Sequence, residues 1–265
     1  MPMNDPMAEA VPPRPDVDPA RRRSFPPPAT WKAIEALPVG LIALGVTAIV
    51  GALAASIFPN TVSRGGGGLR ESPAFFTVAS LVQEGALVTA VVLWIAFVNH
   101  GRLTSLGLPP RRPWTDAVVG VIAGVALVFT AGVVLELVHS IVEAILRHNV
   151  ANPEQVPTDV RGAYLAVSGV VIVGLAPLAE ETFFRGFLYK GLRRRLSPWP
   201  AAFISATFFG LVHFAGLRYL LIIPSLILVG VILAMVYERQ QSLFASIAAH
   251  ATFNLIGFLF IAFGR

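Results

Sequence analysis

Residues 164–185 read YLAVSGVVIVGLAPLAEETFFR. The segment carries no charge until Glu180, and its apolar part approaches the length of about 20 residues that a membrane-spanning helix needs. Glu180, Glu181 and Arg185 then follow within about one and a half helical turns. Each charge at membrane depth costs about 2.5–3.5 kcal/mol even on the gentler insertion scales. The segment therefore predicts a membrane helix that carries a functional site.

The composition of the chain is that of a membrane protein. Of its 265 residues, 55% are hydrophobic and 13% are charged, against about 25% charged residues in a soluble domain. The absence of cysteine excludes disulfides, thiolate metal sites and a cysteine nucleophile. The basic residues lie mainly between apolar segments, where they orient a chain in the bilayer rather than bind nucleic acid. We therefore predict an all-α, polytopic membrane helix bundle with no nucleic-acid partner.

Seven apolar stretches are candidates for membrane-spanning helices. They cover residues 36–58, 74–98, 115–145, 162–188, 200–216, 219–237 and 242–262. The fifth is short for a full span and is either tilted or partly re-entrant, so about seven helices are predicted, within a range of six to eight. The sequence has no internal repeat, which argues against a transporter built from inverted halves.

The chain divides into a tail and a membrane domain. Residues 1–34 are rich in Pro and Arg and cannot bury a core, so they are predicted to be a disordered cytoplasmic tail. Residues 35–265 are predicted to form the transmembrane domain, in which the motif-bearing core covers about residues 160–258.

The distribution of Lys and Arg predicts the orientation of this domain. With a cytoplasmic N-terminus, the basic residues inside are Arg14, Arg21, Arg22, Arg23, Lys32, Arg102, Arg111, Arg112, Lys190, Arg193, Arg194, Arg195 and Arg239. Those outside are Arg64, Arg70, Arg147, Arg161, Arg218 and Arg265. The inside excess predicts a cytoplasmic N-terminus, an external C-terminus and a motif near the cytoplasmic side. The lack of cysteine and the Arg-, Ala-, Gly- and Pro-rich composition favour the plasma membrane of a bacterium.

Further polar residues occur inside later apolar segments. His213 follows Phe209 by one turn in the fifth segment, and His250 precedes Asn254 by one turn in the last. Residues at i and i+4 share a face of a helix, so His250 and Asn254 are predicted to lie on one side.

The i, i+4 spacing also distinguishes the two adjacent carboxylates, Glu180 and Glu181. Glu181 and Arg185 have the i, i+4 order that favours an ion pair on a helix. Glu180 points about 100° away from Glu181, so the two carboxylates need not share one partner.

Two kinds of chemistry fit these residues. In the first, Glu180 and His213 activate a water with Glu as general base, while His250 and Asn254 donate to the oxyanion of an acyl intermediate. In the second, Glu180, His213 and His250 bind zinc, although the His-Glu-x-x-His signature of soluble zinc proteases is absent.

Structural explanations also exist for each residue taken alone. Glu181 and Arg185 fit an ion pair within the bundle, and His213, His250 and Asn254 fit hydrogen bonds between helices. Glu84 and Glu136, which also lie in apolar segments, are interpreted as bundle contacts or interface residues without a role. Packing does not explain the ordered set Glu-Glu-x-x-x-Arg, Phe-x-x-x-His and His-x-x-x-Asn.

This ordered set resembles the CAAX-protease and bacteriocin-processing family of intramembrane proteases, also called the Abi family, over about residues 160–258. The resemblance implies an endopeptidase that cleaves a membrane-associated or lipid-modified peptide in a cavity within the membrane. It implies the catalytic residues Glu180, His213, His250 and Asn254, and the supporting residues Glu181, Arg185 and Phe209.

The resemblance also implies a role for each residue. Glu180 is the expected base with His213 as its partner, and His250 and Asn254 form the oxyanion side. Members are often named metalloproteases, but we favour chemistry without a cofactor and keep zinc as the alternative. Two other functions stay open: a non-catalytic immunity or scaffold protein of the same fold, and a proton-coupled carrier that uses Glu and His as a relay.

Overall fold

Seven long helices account for most of the chain that the structure describes. The computed structural model describes residues 26–57, 62–65, 68–148, 150, 162–214 and 216–263. The helices are α1 (Ala36–Ile57), α2 (Pro73–Leu93), α3 (Pro113–Leu146), α4 (Gly162–Leu192), α5 (Pro198–Val212), α6 (Ile223–Gln240) and α7 (Leu243–Phe263). The predicted fold class, an all-α polytopic bundle, is confirmed.

Short elements connect the helices. Strands β1 (Val62–Gly65) and β2 (Gly68–Glu71) form an antiparallel hairpin between α1 and α2, with Val62 opposite Glu71. Single 3₁₀ turns occur at Ala33–Glu35, Leu103–Leu106 and Leu217–Leu221, and a π-helical turn at Trp94–Val98 extends α2. The hairpin is too small to alter the architecture of the bundle.

Six helices of the described chain are long and apolar enough to cross a membrane. The exception is α5, which has 15 residues. At 1.5 Å per residue it is about 22 Å long, less than the bilayer core of about 30 Å. This result agrees with the predicted range of six to eight helices and with the short fifth segment.

Proline and left-handed residues mark the helix ends. Proline occupies the first turn of α2, α3, α5 and α6, where the backbone N–H has no helical partner. Ser72 caps α2 by accepting a hydrogen bond from the N–H of Phe75 at 3.2 Å. Arg147 and Gln241 end α3 and α6 in the left-handed conformation, with φ of 56° and 53°.

The motif-bearing half of α4 lies at the centre of the bundle. It contacts α1, α2, α5, α6 and α7, and every residue from Thr182 to Tyr189 is buried. Around it, α3 packs along α7, α5 along α6, and α1 along α2. The charged motif is therefore enclosed by protein rather than exposed to lipid.

The packed part of the chain begins before residue 35. Residues 1–25 of the predicted tail lie outside the described residues. Within the rest of it, Trp31 is fully buried, stacks on Phe187 with ring centroids 5.1 Å apart, and donates its indole N–H to the carbonyl of Phe187 at 2.8 Å. An indole ring buries a large apolar area, so this contact anchors the segment that precedes α1 to α4.

Candidate active site

All four residues predicted to be catalytic line one cavity. Glu180, His213, His250 and Asn254 border a space of about 280 Å³ between α2, α4, α5, α6 and α7. They come from three helices, and the folded bundle brings them together as the ordered motif set predicts. A larger recess of about 420 Å³ lies at Arg111, Arg112 and Arg239 and contains none of the motif residues.

Glu181 is the most enclosed residue of the motif. Its side chain has no solvent exposure, and its Oε1 accepts hydrogen bonds from Nη1 of Arg185 at 2.7 Å and from Nδ1 of His250 at 2.9 Å. The hydroxyl of Ser246 donates to Oε2. Arg185 also donates to the carbonyl of Gly230 on α6 at 3.1 Å. The predicted ion pair is present, and it links α4 to α6 and α7.

Glu180 points away from this network and into the cavity. Its side chain is 16% exposed, and its Oε2 lies 3.9 Å from Nε2 of His250, too far for a hydrogen bond. Within the described part of the chain, this oxygen is buried without a hydrogen-bond partner. The two adjacent carboxylates therefore differ as predicted. Both oxygens of Glu181 accept hydrogen bonds, whereas Oε2 of Glu180 accepts none within the described residues.

The end of α5 orients His213. This residue is the C-cap of α5, and its backbone N–H turns to the carbonyl of Gly210 at 3.2 Å rather than to that of Phe209. The last carbonyls of a helix lack regular partners. The carbonyl of Phe209 instead accepts from Nδ1 of His213 at 2.7 Å. A carbonyl only accepts, so Nδ1 carries the proton, and Nε2 of the neutral ring is an acceptor.

A break in the hydrogen-bond ladder of α4 orients Asn254. Residues Val171–Leu175 form a π-helical turn, in which the N–H of Ala176 bonds to the carbonyl of Val171. The next N–H in that register would come from Pro177, which has none. The carbonyl of Ile172 accepts from Nδ2 of Asn254 at 2.8 Å. The second N–H of this amide is available to a ligand in the cavity.

Phe209 packs between the charged pair and the two imidazoles. The guanidinium of Arg185 lies 4.6 Å from the centroid of its ring. Its ring centroid is 5.0 Å from that of His213 and 5.8 Å from that of His250. A cation over an aromatic face is favourable, and the ring keeps both imidazoles in fixed positions.

Two residues near the site were not predicted from the sequence. Ser246 donates to Glu181 and lies one turn before His250 on the same face of α7, a spacing that the sequence does contain. Glu84, interpreted above as a bundle contact, lines the cavity together with Glu180. Its side chain is 5% exposed and belongs to α2, outside the motif-bearing segment.

The zinc alternative was tested on the donor geometry. Among the residues that the structure describes, no group of three or more His, Asp or Glu side chains is arranged to hold a metal ion. Nδ1 of His250 is bound to Glu181, and Nδ1 of His213 is bound to a backbone carbonyl. Bonds of this kind at Nδ1 are also usual for histidines that bind a metal through Nε2. Among the described residues, only the arrangement of the three side chains speaks against zinc at Glu180, His213 and His250.

A polar clamp holds the end of α4 that follows the motif. Arg193 pairs with Glu238 of α6 at 2.7 Å, and the hydroxyl of Tyr189 donates to the same carboxylate at 2.8 Å. The hydrogen bond to Glu238 raises the pKa of the Arg193 guanidinium above its usual value. The clamp fixes the position of α4 against α6.

Comparison with known proteins gives one match. Residues 162–256 match the family model of type II CAAX prenyl endopeptidases described as Rce1-like. Neither the curated proteins nor the solved structures contain a match to the chain. This match agrees with the resemblance seen in the ordered motif set, and it extends from the start of α4 into α7, so it includes every motif residue. The apolar helices and the match together identify a membrane protein similar to CAAX-type endopeptidases.

Proposed function

We propose, from the similarity of residues 162–256 to type II CAAX prenyl endopeptidases, that this protein is an intramembrane endopeptidase. It hydrolyses a peptide bond of a membrane-associated or lipid-modified peptide. The observation that carries the proposal is the single cavity lined by Glu180, His213, His250 and Asn254. A cavity enclosed by helices keeps the reacting groups apart from bulk water, which strengthens their electrostatic interactions.

Glu180 and His213 activate the water. The water donates one hydrogen bond to Glu180 and the other to Nε2 of His213, which is an acceptor because Nδ1 donates to a backbone carbonyl. Glu180 removes a proton as the water oxygen bonds to the carbonyl carbon of the substrate. The π electrons of that carbonyl move to its oxygen. The oxyanion then re-forms the carbonyl bond as the C–N bond breaks, and Glu180 gives the proton to the leaving amine nitrogen.

His250 and Asn254 stabilise the oxyanion. In its doubly protonated form, His250 donates Nδ1–H to Glu181 and Nε2–H to the developing negative charge, and the carboxylate of Glu181 fixes the ring. The second N–H of Asn254 supplies another donor, while the first bonds to the carbonyl of Ile172. Glu181 and Arg185 act through His250 and do not touch the substrate.

The test is hydrolysis of an internally quenched peptide that ends in a prenylated Cys-aliphatic-aliphatic-X sequence, alongside the same peptide without the prenyl group. Glu180→Gln and His213→Ala are expected to lower kcat by about 10²–10⁴-fold, the usual contribution of general acid–base catalysis. Thermal unfolding of Glu180→Gln should stay unchanged, because Glu180 makes no hydrogen bond through its buried oxygen within the described residues. Glu136→Gln, the same substitution at an exposed site on α3, is the control. Near-normal turnover by Glu180→Gln would contradict the assignment of the base, and no hydrolysis by the unsubstituted protein would favour a scaffold.

We also propose that this hydrolysis needs no metal. The arrangement of the side chains supports the proposal, since among the described residues no group of three or more His, Asp or Glu could hold a metal ion. A strong chelator is expected to leave turnover of the purified protein unchanged. Elemental analysis of the purified protein is expected to find less than one zinc per chain. Loss of activity that returns on addition of Zn²⁺ would overturn it. A magnesium-saturated chelator serves as the control.

A further inference from the structure

Glu84 is the third carboxylate at the cavity, and the proposed reaction leaves it without a role. It lies on α2, and Ser80, one turn earlier on the same face, lines the cavity too. A hydrogen bond between the hydroxyls of Thr77 and Ser168, at 3.2 Å, fixes α2 beside α4. Glu84 therefore lines the cavity from α2, beside α4.

Glu84 is buried without a charge partner. Its Oε1 accepts a long hydrogen bond of 3.4 Å from the amide of Gln83, and its Oε2 meets no partner in the described part of the chain. The neighbouring helix α1 contains no ionisable residue in its sequence. Arg185 directs its terminal nitrogens to Glu181 and to a backbone carbonyl. Burying an unpaired carboxylate costs far more than burying a neutral carboxyl.

The unsatisfied oxygen of Glu84 has a counterpart on Glu180. Both Oε2 atoms are buried, and both side chains line the same cavity. Two carboxylates at one site repel one another, and this repulsion is removed when one of them holds a proton. A protonated carboxyl can donate a hydrogen bond and a carboxylate can accept it, so one such pair meets the hydrogen-bonding needs of both groups. The cavity contains polar groups and is large enough for one water to bridge the two carboxyl groups.

We propose that Glu84 is a positioning residue: it keeps its proton and donates it, directly or through one water, in a hydrogen bond to Oε2 of Glu180. This contact holds the Glu180 carboxylate in the orientation in which its other oxygen meets the reacting water. Because the pair shares one proton, Glu180 stays ionised as a base. The catalytic consequence rests on the function proposed above, whereas the protonated state of Glu84 does not.

Two substitutions separate a donor from an ionised group. Glu84→Gln retains an N–H donor in a side chain of similar size. Its kcat is expected to stay within about threefold of that of the unsubstituted protein, because the hydrogen bond to Glu180 is kept. Glu84→Met has a similar shape without a donor, and kcat should fall by about 10–100-fold with KM unchanged. Equal losses in both variants, or no loss in either, would overturn the proposal, as would a changed KM. Thermal unfolding of each variant controls for a folding defect.

Infrared spectroscopy gives a readout that needs no substrate. The carbonyl stretch of a protonated carboxyl should be present in the unsubstituted protein at neutral pH and lost in Glu84→Gln, while Glu136→Gln retains it. Identical spectra for the unsubstituted protein and Glu84→Gln would show that Glu84 is ionised and overturn the proposal. If the carbonyl band is lost in Glu84→Gln but the unsubstituted protein cleaves no peptide, the protonated state of Glu84 is supported and the proposed function is contradicted.

Discussion

The carboxylate of Glu181 shows how this protein tolerates a charge at membrane depth. Its two oxygens accept from a guanidinium, an imidazole and a hydroxyl, so little of the lost hydration is left uncompensated. Such pairs do not necessarily add stability, but breaking one by removing a single partner leaves an uncompensated buried charge. The network therefore makes Glu181 and Arg185 strongly interdependent.

The ion pair leads to a prediction at the scale of the residue. Arg185→Met leaves the Glu181 carboxylate with no permanent positive partner and should destabilise the protein by about 3–5 kcal/mol. The double variant Glu181→Gln with Arg185→Met removes both charges and should lose less than the sum of the two single variants. Denaturant unfolding in detergent micelles measures the difference, with exposed Arg112→Met as the control. Strictly additive losses would show that the two charges are not coupled.

Irregular helix turns give the elements their role in the site. The π-helical turn before Pro177 makes the carbonyl of Ile172 available to Asn254, and the end of α5 makes that of Phe209 available to His213. A second π-helical turn, Thr182–Tyr189, begins directly after Glu181. Turns of this kind are frequent at functional sites because they free backbone groups and redirect side chains. Backbone carbonyls thus position two of the four predicted catalytic side chains.

The contact between α3 and α7 fixes the position of the helix that carries His250 and Asn254. Gly120 and Gly124, one turn apart on α3, lie against α7 so closely that a Cβ on either would overlap it. At Gly124 that Cβ would lie 2.5 Å from the carbonyl oxygen of Ala249, the residue before His250. Small residues at this spacing allow two membrane helices to approach.

This contact gives a prediction at the scale of the element. Gly124→Ala should displace α7, lower stability by about 1–3 kcal/mol as overpacking does, and reduce turnover through the shift of His250. Gly132→Ala on the same helix is the matched control, since no atom lies within 4 Å of its added Cβ. There the higher helix propensity of Ala should leave stability unchanged or slightly raised. Equal behaviour of the two variants in unfolding and activity assays would contradict close packing at Gly124.

For the molecule as a whole, the excess of basic residues predicts which side of the membrane the site faces. The loop between α4 and α5 carries Arg193, Arg194 and Arg195 close to the motif. We propose that this end of the bundle faces the cytoplasm, in accordance with the positive-inside rule. A substrate peptide would then reach the cavity from the cytoplasmic side.

The orientation can be tested directly because the chain has no native cysteine. Ser197→Cys and His148→Cys place single thiols at exposed positions beyond the two ends of the bundle. A membrane-impermeant maleimide should label His148→Cys in intact cells. It should label Ser197→Cys only after the cells are permeabilised. The reverse pattern would invert the topology, and the unsubstituted protein provides the unlabelled background.

Local sequence was sufficient to predict several features of the protein. The membrane helices were predictable because each must satisfy its own backbone hydrogen bonds in lipid, which requires a continuous apolar stretch. The Glu181–Arg185 pair was predictable because its partners are one turn apart on a single helix. The spacing of His250 and Asn254 likewise predicted their common side, and both line the cavity.

Other features depend on how the helices pack, and a single sequence does not encode that visibly. Glu84 carries the same local pattern as any polar bundle contact, and it lines the same cavity as Glu180 only because α2 lies beside α4 in one particular rotation. Trp31, within the predicted tail, is buried because α4 presents the ring and carbonyl of Phe187 to it. Hydropathy and i, i+4 spacing thus determined the helices and the local pairs. The rotation and register of the helices, set by side-chain packing across the whole bundle, decided which residues share the cavity.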